Sequence, residues 1–404
     1  MLSVDVVVVA YNSRECLRAC IEPLAGVRAV SLFVVDNACP VRSYEVVDGL
    51  PGVRVIHTGW NGGFSYGSNA GWRAGGSELV LFLNPDARLD VDSLARMAQV
   101  LEDDPAAGVV GPRTHRTDGS LAWSIRRFPT VPSTYARALF VHRLVPRASW
   151  VDEVVRDPGP YSRLGSAGWL PGTCLLARRS TLETVGGFDE GFFMYVEDMD
   201  FCRRVREVGL EVIYCPEAVC VHEGGQSLSR TQLLPVLAAS RLRYAKQDSG
   251  GAMGTILQQV GIGIGEGLRT TIGHGEPGHR RGHLKALGVI LRSDDGYRLG
   301  ASDRTEHRDL HVGRQGQGFA MHGQDGALNS LRQHFVMFLP VLVLLALLTI
   351  VGNELVEHRI WDERQVANGD LLFAAVVVVV AFVGSYLMRR RQRSPSTSVA
   401  SPRY

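Results

Sequence analysis

The chain predicts an α/β fold with a mainly parallel central sheet, followed by two C-terminal transmembrane helices. Over the first 125 residues, short β-branched runs alternate with helix-length stretches, the pattern of βαβ units. Near the C-terminus two uninterrupted apolar stretches stand before a run of arginines.

The elements follow in order. Val4–Ala10 is a β-branched run, and MLSVDVVVVAYNS has no basic leader, so it reads as a first buried strand rather than a signal peptide. A helical pattern runs from about Ser13 to Leu24. Strands are expected at Ser31–Val35, Val53–His57 and Leu79–Leu83, with a helix from about Tyr66 to Ala74 before the last of them. A further helix over Val91–Leu101 leads to Gly108–Gly111. From Arg126 to Arg163 the pattern weakens among many Pro and Arg residues, which predicts a long, mobile insertion over the carboxyl edge of the sheet. Regularity returns at Gly168–Arg178, in a helix at Glu197–Val208 and in a strand at Glu211–Tyr214.

These elements make residues 1–245 one domain. Residues 246–333 read as a helical and linker region rich in Gly, His and Arg, with an amphipathic helix at His283–Arg292. The Arg-rich stretch 269–292 is either a helix lying on anionic headgroups or a solvated helix face. The apolar run Phe335–Gly352 has 18 residues. As a helix that is roughly 27 Å, about one hydrocarbon thickness. It defines a first span at 334–352, and Leu371–Met388 a second at 371–388. The loop 353–370 carries Glu354, Glu357, Asp362, Glu363 and Asp370, whereas the tail 389–404 opens with Arg389, Arg390, Arg391 and Arg393. The positive-inside rule puts the tail in the cytoplasm and the loop outside. The large N-terminal domain then faces the cytoplasm from a multi-pass anchor in the cytoplasmic membrane.

Composition narrows the function. A formal net charge of +2 gives no reason to expect a nucleic-acid partner. The basic residues are nearly all Arg, since Lys246 and Lys285 are the only lysines. Seven cysteines, without a C-x-x-C pair, argue against a disulfide framework or a zinc site and for reduced, buried thiols.

Five stretches carry chemistry. Leu79–Asp90 reads LVLFLNPDARLD, an apolar strand that stops at Asn84-Pro85-Asp86; strand ends in open α/β sheets are where ligands bind. Asp36, ending LFVVD, can accept from the ring N–H of a pyrimidine base or simply shape a turn. The stretch WNGGFSYGSNAG, Trp60–Gly71, is either a structural turn or a place where backbone approaches phosphate at a helix start. FFMYVEDMDFCRR, Phe192–Arg204, sets Glu197, Asp198 and Asp200 behind aromatic residues. Those acids suit a helix N-terminus, and a carboxylate against an aromatic wall also suits a general base. His222, in VCVHEGGQS, ends a short strand and is on its own an ordinary core or surface histidine.

The order VVVVAYNS, FVVDNA, NGGFSYGSNAG, FLNPDA, PGTCLLARR, GGFDEGFFMYVEDMDFCRR and VHEGGQS, spanning Val4–Ser227, resembles the inverting glycosyltransferases of family 2. It looks most like their rhamnosyltransferase branch, which builds cell-surface polysaccharides. The resemblance implies a glycosyltransferase A fold, with 1–245 as the catalytic domain, and a nucleotide sugar donor, best read as dTDP-L-rhamnose. It implies that Asn12 and Asp36 hold base and ribose, and that Asn61, Gly67, Asn69, Asn84 and Asp86 line the nucleotide and diphosphate. Asp86 stands where the family's D-x-D motif keeps its last carboxylate, and Asn84 replaces the first. A divalent metal, Mg²⁺ or Mn²⁺, would rest on Asp86, the phosphates and His222. Asp198 would be the general base, with Glu197, Trp169 and Gly172 on the acceptor side. Asp200 and Arg204 would hold the helix in place. The acceptor expected is a polyprenyl-linked or other envelope saccharide at the bilayer, close to the hairpin. A polyprenyl-phosphate sugar synthase and a catalytically silent scaffold of a polysaccharide assembly complex are the alternatives.

Overall fold

The computed structural model describes residues 3–224, 230–248, 250–272 and 279–298. The two expected spans, the loop between them and the basic tail lie outside the described residues. Among the described residues no helix is long and apolar enough to cross a membrane.

The first half of the sheet is built as the sequence predicts. Strand β1 is Val4–Ala10, β2 is Val30–Asp36, β3 is Val53–His57 and β4 is Leu79–Leu83. β2, β4 and β3 are each parallel to a neighbour, in the spatial order β3-β2-β1-β4. Between them lie the short helix α1, Leu17–Ile21, and α2, Phe64–Ala74. Every residue of β1 is buried because both faces are covered. Side chains alternate across a strand, so Val4, Val6, Val8 and Ala10 enter one core and Val7 and Val9 the other. Asp5 interrupts this run, and it is matched by Arg179 at 2.7 Å and by the Ser77 N–H and hydroxyl at 2.9 and 2.6 Å. Buried charge is tolerated when so fully paired.

The second half departs from the mainly parallel expectation. After β5, Ala87–Leu89, the helix α3, Val91–Asp103, starts at Asp90, whose side chain accepts from the Ser93 N–H at 2.6 Å. Strand β6, Ala107–Arg116, follows. The chain then makes its long excursion through α4, Val131–Ala138, α5, Val141–Leu144, and the two-residue β7, Gly165–Ser166. It returns as β8, Cys174–Arg178, which inserts antiparallel between β4 and β6. Helices α6, Arg179–Val185, and α7, Glu197–Glu207, lead to β9, Glu211–His222, parallel to β6 and antiparallel to β5 and β7. The sheet is therefore mixed: after the excursion β8 returns antiparallel to both of its neighbours, β4 and β6.

The excursion over 126–163 forms helices and is tied down by backbone bridges from Arg126 to Val154 and to Trp169. Three further helices close the described region: α8, Arg230–Asp248, α9, Ala252–Ile272, and α10, His279–Arg292. One apolar face of α10 is packed, while Leu284 and Leu291 stay exposed on another. Ala286, Val289 and Ile290 are buried in a cluster with Leu234, Ala238 and Leu242 of α8. All seven cysteines are free and buried.

Candidate active site

A cleft of about 580 Å³ opens where β4 ends, and it collects residues from most of the chain. Asn61, Asn84, Asp86, Trp169, Gly172, Glu197, Asp198 and His222 all line it, although they span more than half the described sequence.

The Asp86 end is made by strand geometry. Asn84-Pro85-Asp86-Ala87 is a tight turn closed by the Ala87 N–H to the Asn84 carbonyl at 3.0 Å, with Pro at the position whose φ it presets. The turn sends β5 antiparallel along the end of β9, so that Ala87 pairs with His222 and the Glu223 N–H donates to the Asp86 carbonyl at 3.0 Å. That register sets Asp86 Oδ1 and His222 Nε2 3.2 Å apart. One carboxylate oxygen and one imidazole nitrogen thus face each other at the cleft wall. Among the described residues no group of three or more His, Cys, Asp and Glu converges as a metal site.

Asn12 and Asp36 stand just past β1 and at the end of β2 respectively, joined through Cys39. The Asn12 N–H donates to Cys39 Sγ at 3.2 Å, and the Cys39 N–H donates to Asp36 Oδ1 at 2.9 Å. The other Asp36 oxygen meets His57 Nδ1 at 2.9 Å. Asn12 Oδ1 is buried with no hydrogen-bond partner, a cost a bound ligand's donor would remove.

Asn12, Asp36, Gly67 and Asn69 are not among the residues that line the cleft. Gly67 lets α2 close on β1, where a Cβ would sit 2.8 Å from Val9 Cγ1. Asn69 is fully buried, and its amide nitrogen donates to the Phe188 carbonyl at 2.8 Å and to Glu190 at 2.9 Å. Both serve packing. In their stead the structure presents Asn37, one residue beyond the Asp36 that drew notice. Its side chain donates to Asn61 Oδ1 and to the Gly63 carbonyl, each at 3.0 Å, and lines the cleft.

The Asp198 end begins with strained backbone. Tyr195 and Val196 both have positive φ, 67° and 70°, which costs most for a β-branched residue. The strain is over-determined by Gly63, φ 88°, whose Cβ would sit 2.0 Å from the Phe193 oxygen, and by the Phe64 N–H donating to that oxygen at 2.8 Å. Asp200 is buried and paired with Arg203 at 2.9 Å and Arg204 at 2.8 Å, pinning α7. The first turn of α7 then presents Glu197 and Asp198.

The two carboxyls differ. Asp198 Oδ2 accepts from the Gly172 N–H at 2.9 Å and Oδ1 from the Met199 N–H at 2.8 Å. Burial raises its pKa, while those N–H groups and the Arg126 charge pull the other way. Glu197 is 6% exposed and Oε2 has no partner. Burial, followed by the Asp198 charge, pushes it well above the carboxylate range. Both carboxyls are raised by burial, but Asp198 receives two N–H donors that favour its charged form, whereas Glu197 Oε2 has none. Environments that separate two acids in this way define an acid and a base.

A strand-end pocket thus holds a lone carboxylate with a histidine beside it and a buried Asp facing the same space. Residues 5–185 match the model of the family described as Glycosyl transferase family 2. The N-acetylglucosaminyl-diphospho-decaprenol L-rhamnosyltransferase of Mycobacterium tuberculosis is 32% identical over 234 residues, which is 55% of this chain and 75% of that protein. Rhamnosyltransferase WbbL of Escherichia coli is 25% identical over 230 residues, 54% of this chain and 83% of the relative. Among solved structures, the Pyrobaculum calidifontis mannosyltransferase PcManGT in complex with GDP-Man and Mn2+ overlays with a TM-score of 0.43 at 16% identity. That overlay covers 72% of this chain and 88% of the other, and is too distant for residue correspondence.

The chain belongs to glycosyl transferase family 2. It is a glycosyltransferase of the rhamnosyltransferase-like kind.

Proposed function

We propose that the enzyme moves L-rhamnose from dTDP-L-rhamnose, with inversion, to a hydroxyl of a polyprenyl-linked or other envelope saccharide. The observation that carries the reading is a single cleft lined both by the Asp86–His222 pair and by Asp198, whose carboxylate is held by two N–H donors. Inversion by direct displacement needs such a base on the acceptor side, opposite the leaving group. The rhamnose assignment is supported by the two rhamnosyltransferase relatives, and the acceptor class by the diphospho-decaprenol in the name of the mycobacterial one.

Asp86 and His222 would hold a divalent metal, Mg²⁺ or Mn²⁺. Their donor atoms already face one another, and an ion that brings substrate phosphates and water needs few protein ligands. When bound, the metal supplies Lewis-acid stabilisation of the departing nucleoside diphosphate. Asn12 and Asp36 would receive the base and ribose, while Asn37, Asn61 and Asn84 would face the remainder of the nucleotide. Asp198 takes the proton of the attacking hydroxyl, and the Gly172 N–H fixes the oxygen it does not use. Glu197, buried beside Asp198, would face the acceptor, and Trp169 would wall the acceptor side. The spans at 334–352 and 371–388 would hold the enzyme at the cytoplasmic face of the membrane, where confinement raises encounter with a lipid-linked acceptor.

The test is product analysis with the full chain in detergent, offered dTDP-L-rhamnose, UDP-galactose or GDP-mannose with a lipid-diphosphate acceptor. Transfer from dTDP-L-rhamnose alone, with the anomeric configuration inverted by NMR, is expected. Transfer from another donor, or retention of configuration, would overturn the assignment.

A further inference from the structure

Four guanidinium groups line the same cleft as Asp198: Arg126 from the segment before α4, Arg137 from α4, Arg241 from α8 and Arg269 from α9. None of these elements supplies a residue to the Asp86 end. Two of the four are neutralised within the protein. Arg137 meets Glu153 at 2.9 Å and Asp152 at 3.4 Å, and Arg269 meets Glu266 at 3.6 Å. Arg126 and Arg241 make no direct ion pair among the described residues; Glu153 acts on both at longer range, with Glu266 on Arg241 and Asp198 on Arg126, and Arg126 Nε is buried without a hydrogen bond. Arg126 instead lies over the Trp169 ring, 5.4 Å from its centroid, between the cluster and the acceptor wall.

The arrangement costs stability. Burial, and then the Arg137 charge, brings the Arg241 guanidinium down to about 10, and burial lowers Arg126 and Arg269 as well. Half-buried positive charges without a direct ion pair persist where an anion completes them. Guanidinium groups match phosphate oxygens in pairs, which a single point charge does not. Leu233, Leu237 and Ile262 line the cleft too, offering an apolar surface near the charges.

We propose that Arg126, Arg137, Arg241 and Arg269 form a subsite for the diphosphate of a lipid-linked acceptor, separate from the donor diphosphate at Asp86. The assignment rests on the acceptor class given under the proposed function. The apolar residues receive the first isoprene units, and the sugar beyond the diphosphate reaches Asp198.

The experiment measures calorimetric affinity of the full chain in detergent for three probes: farnesyl-diphospho-N-acetylglucosamine, neutral octyl N-acetylglucosaminide and inorganic diphosphate. The wild type is expected to prefer the farnesyl probe to the octyl glycoside by about tenfold or more, a full tenfold being about 1.4 kcal/mol. Arg241→Met should remove most of that preference and Arg241→Lys restore part of it. Thermal melting of Arg241→Met should stay level or rise, because the charge removed had no direct ion pair. Unchanged preference in Arg241→Met would overturn the proposal. So would a collapse in melting temperature with equal loss for both glycosides, which marks a structural arginine. Arg241-dependent binding of inorganic diphosphate without binding of the farnesyl probe would make this a site for a free ion and refute the acceptor assignment. Arg241-dependent binding of the farnesyl probe without sugar transfer to it would leave the subsite standing and remove the transfer reading instead.

Discussion

The Asp86 end of the cleft and the Asp198 end are made by different means. The first is set by sheet topology: a strand stops, a Pro turn reverses it, and a two-strand register brings His222 to Asp86 across the chain. The second is set by loops and a helix start. Asp198 is held by the Gly172 N–H, its helix begins on strained backbone braced by Gly63, and the Arg126 charge pulls its pKa down against burial. The contrast is between an end fixed by strand register and an end whose carboxyl is tuned by burial and N–H donors. It says how to separate the two by mutation.

The largest effect is expected at Asp198. Asp198→Asn should lower kcat by roughly a thousandfold, in the range a general base supplies. Donor affinity by calorimetry should stay within about twofold. Equal loss of binding and turnover would erase the distinction between the ends.

Gly63→Ala strikes the brace between them. The added Cβ would meet the Phe193 oxygen at 2.0 Å with φ at 88°, so the Tyr195–Val196 backbone must shift. Strain of this kind costs about 1–3 kcal/mol. Denaturant melts should show that loss, and kcat should fall more than donor affinity. A variant as stable and active as wild type would contradict the brace.

A pH series separates the two acids. Asp198 must be ionised to act and its pKa is raised by burial, so kcat/KM should fall on acidification through a value above the ordinary aspartate range. Arg126→Met removes a charge that lowers that pKa and should move the limb to higher pH. A limb at the ordinary aspartate pKa in both proteins would contradict this assignment.

The smallest effect concerns Glu197. Its folded pKa lies well above the unfolded value, so the stability tied to its protonated form is present below the unfolded pKa and is lost as pH rises toward the folded one. Glu197→Gln escapes that loss. Its stability advantage should therefore grow from pH 5 to pH 8, reaching on the order of 1 kcal/mol. An advantage that shrinks with pH would show that Glu197 is ionised in the fold.

Much of the fold was legible in the sequence, and unevenly so. β1, β3 and β4 fall where their apolar runs lie, because β-branched residues and Gly, Pro or Asp punctuation bound them. The antiparallel entry of β8 was not, since nothing in Cys174–Arg178 records its direction. Helix α9 was not delimited within the helical and linker region read at 246–333, because Gly261, Gly263, Gly265 and Gly267 are poor helix formers. Tertiary packing explains two of them: a Cβ at Gly261 would meet Thr134 at 2.9 Å and one at Gly265 the Ala138 Cα at 3.3 Å. In the site, Asp86, Glu197 and Asp198 stood out as acids at element ends, whereas His222 gained a role only through the family resemblance. Gly67 and Asn69 misled because a glycine-rich helix start serves close packing as readily as phosphate. Arg126, Arg137, Arg241 and Arg269 carried no signal, since only the fold gathers residues so widely spaced.

The most direct measurement is calorimetric binding of dTDP-L-rhamnose, with Mg²⁺ or EDTA, to wild type, Asp86→Ala and Asp198→Asn. The expected result is metal-dependent binding that Asp86→Ala abolishes and Asp198→Asn retains. Metal-independent binding that survives Asp86→Ala, or binding lost with Asp198→Asn, would contradict a donor end and an acceptor end with separate tasks.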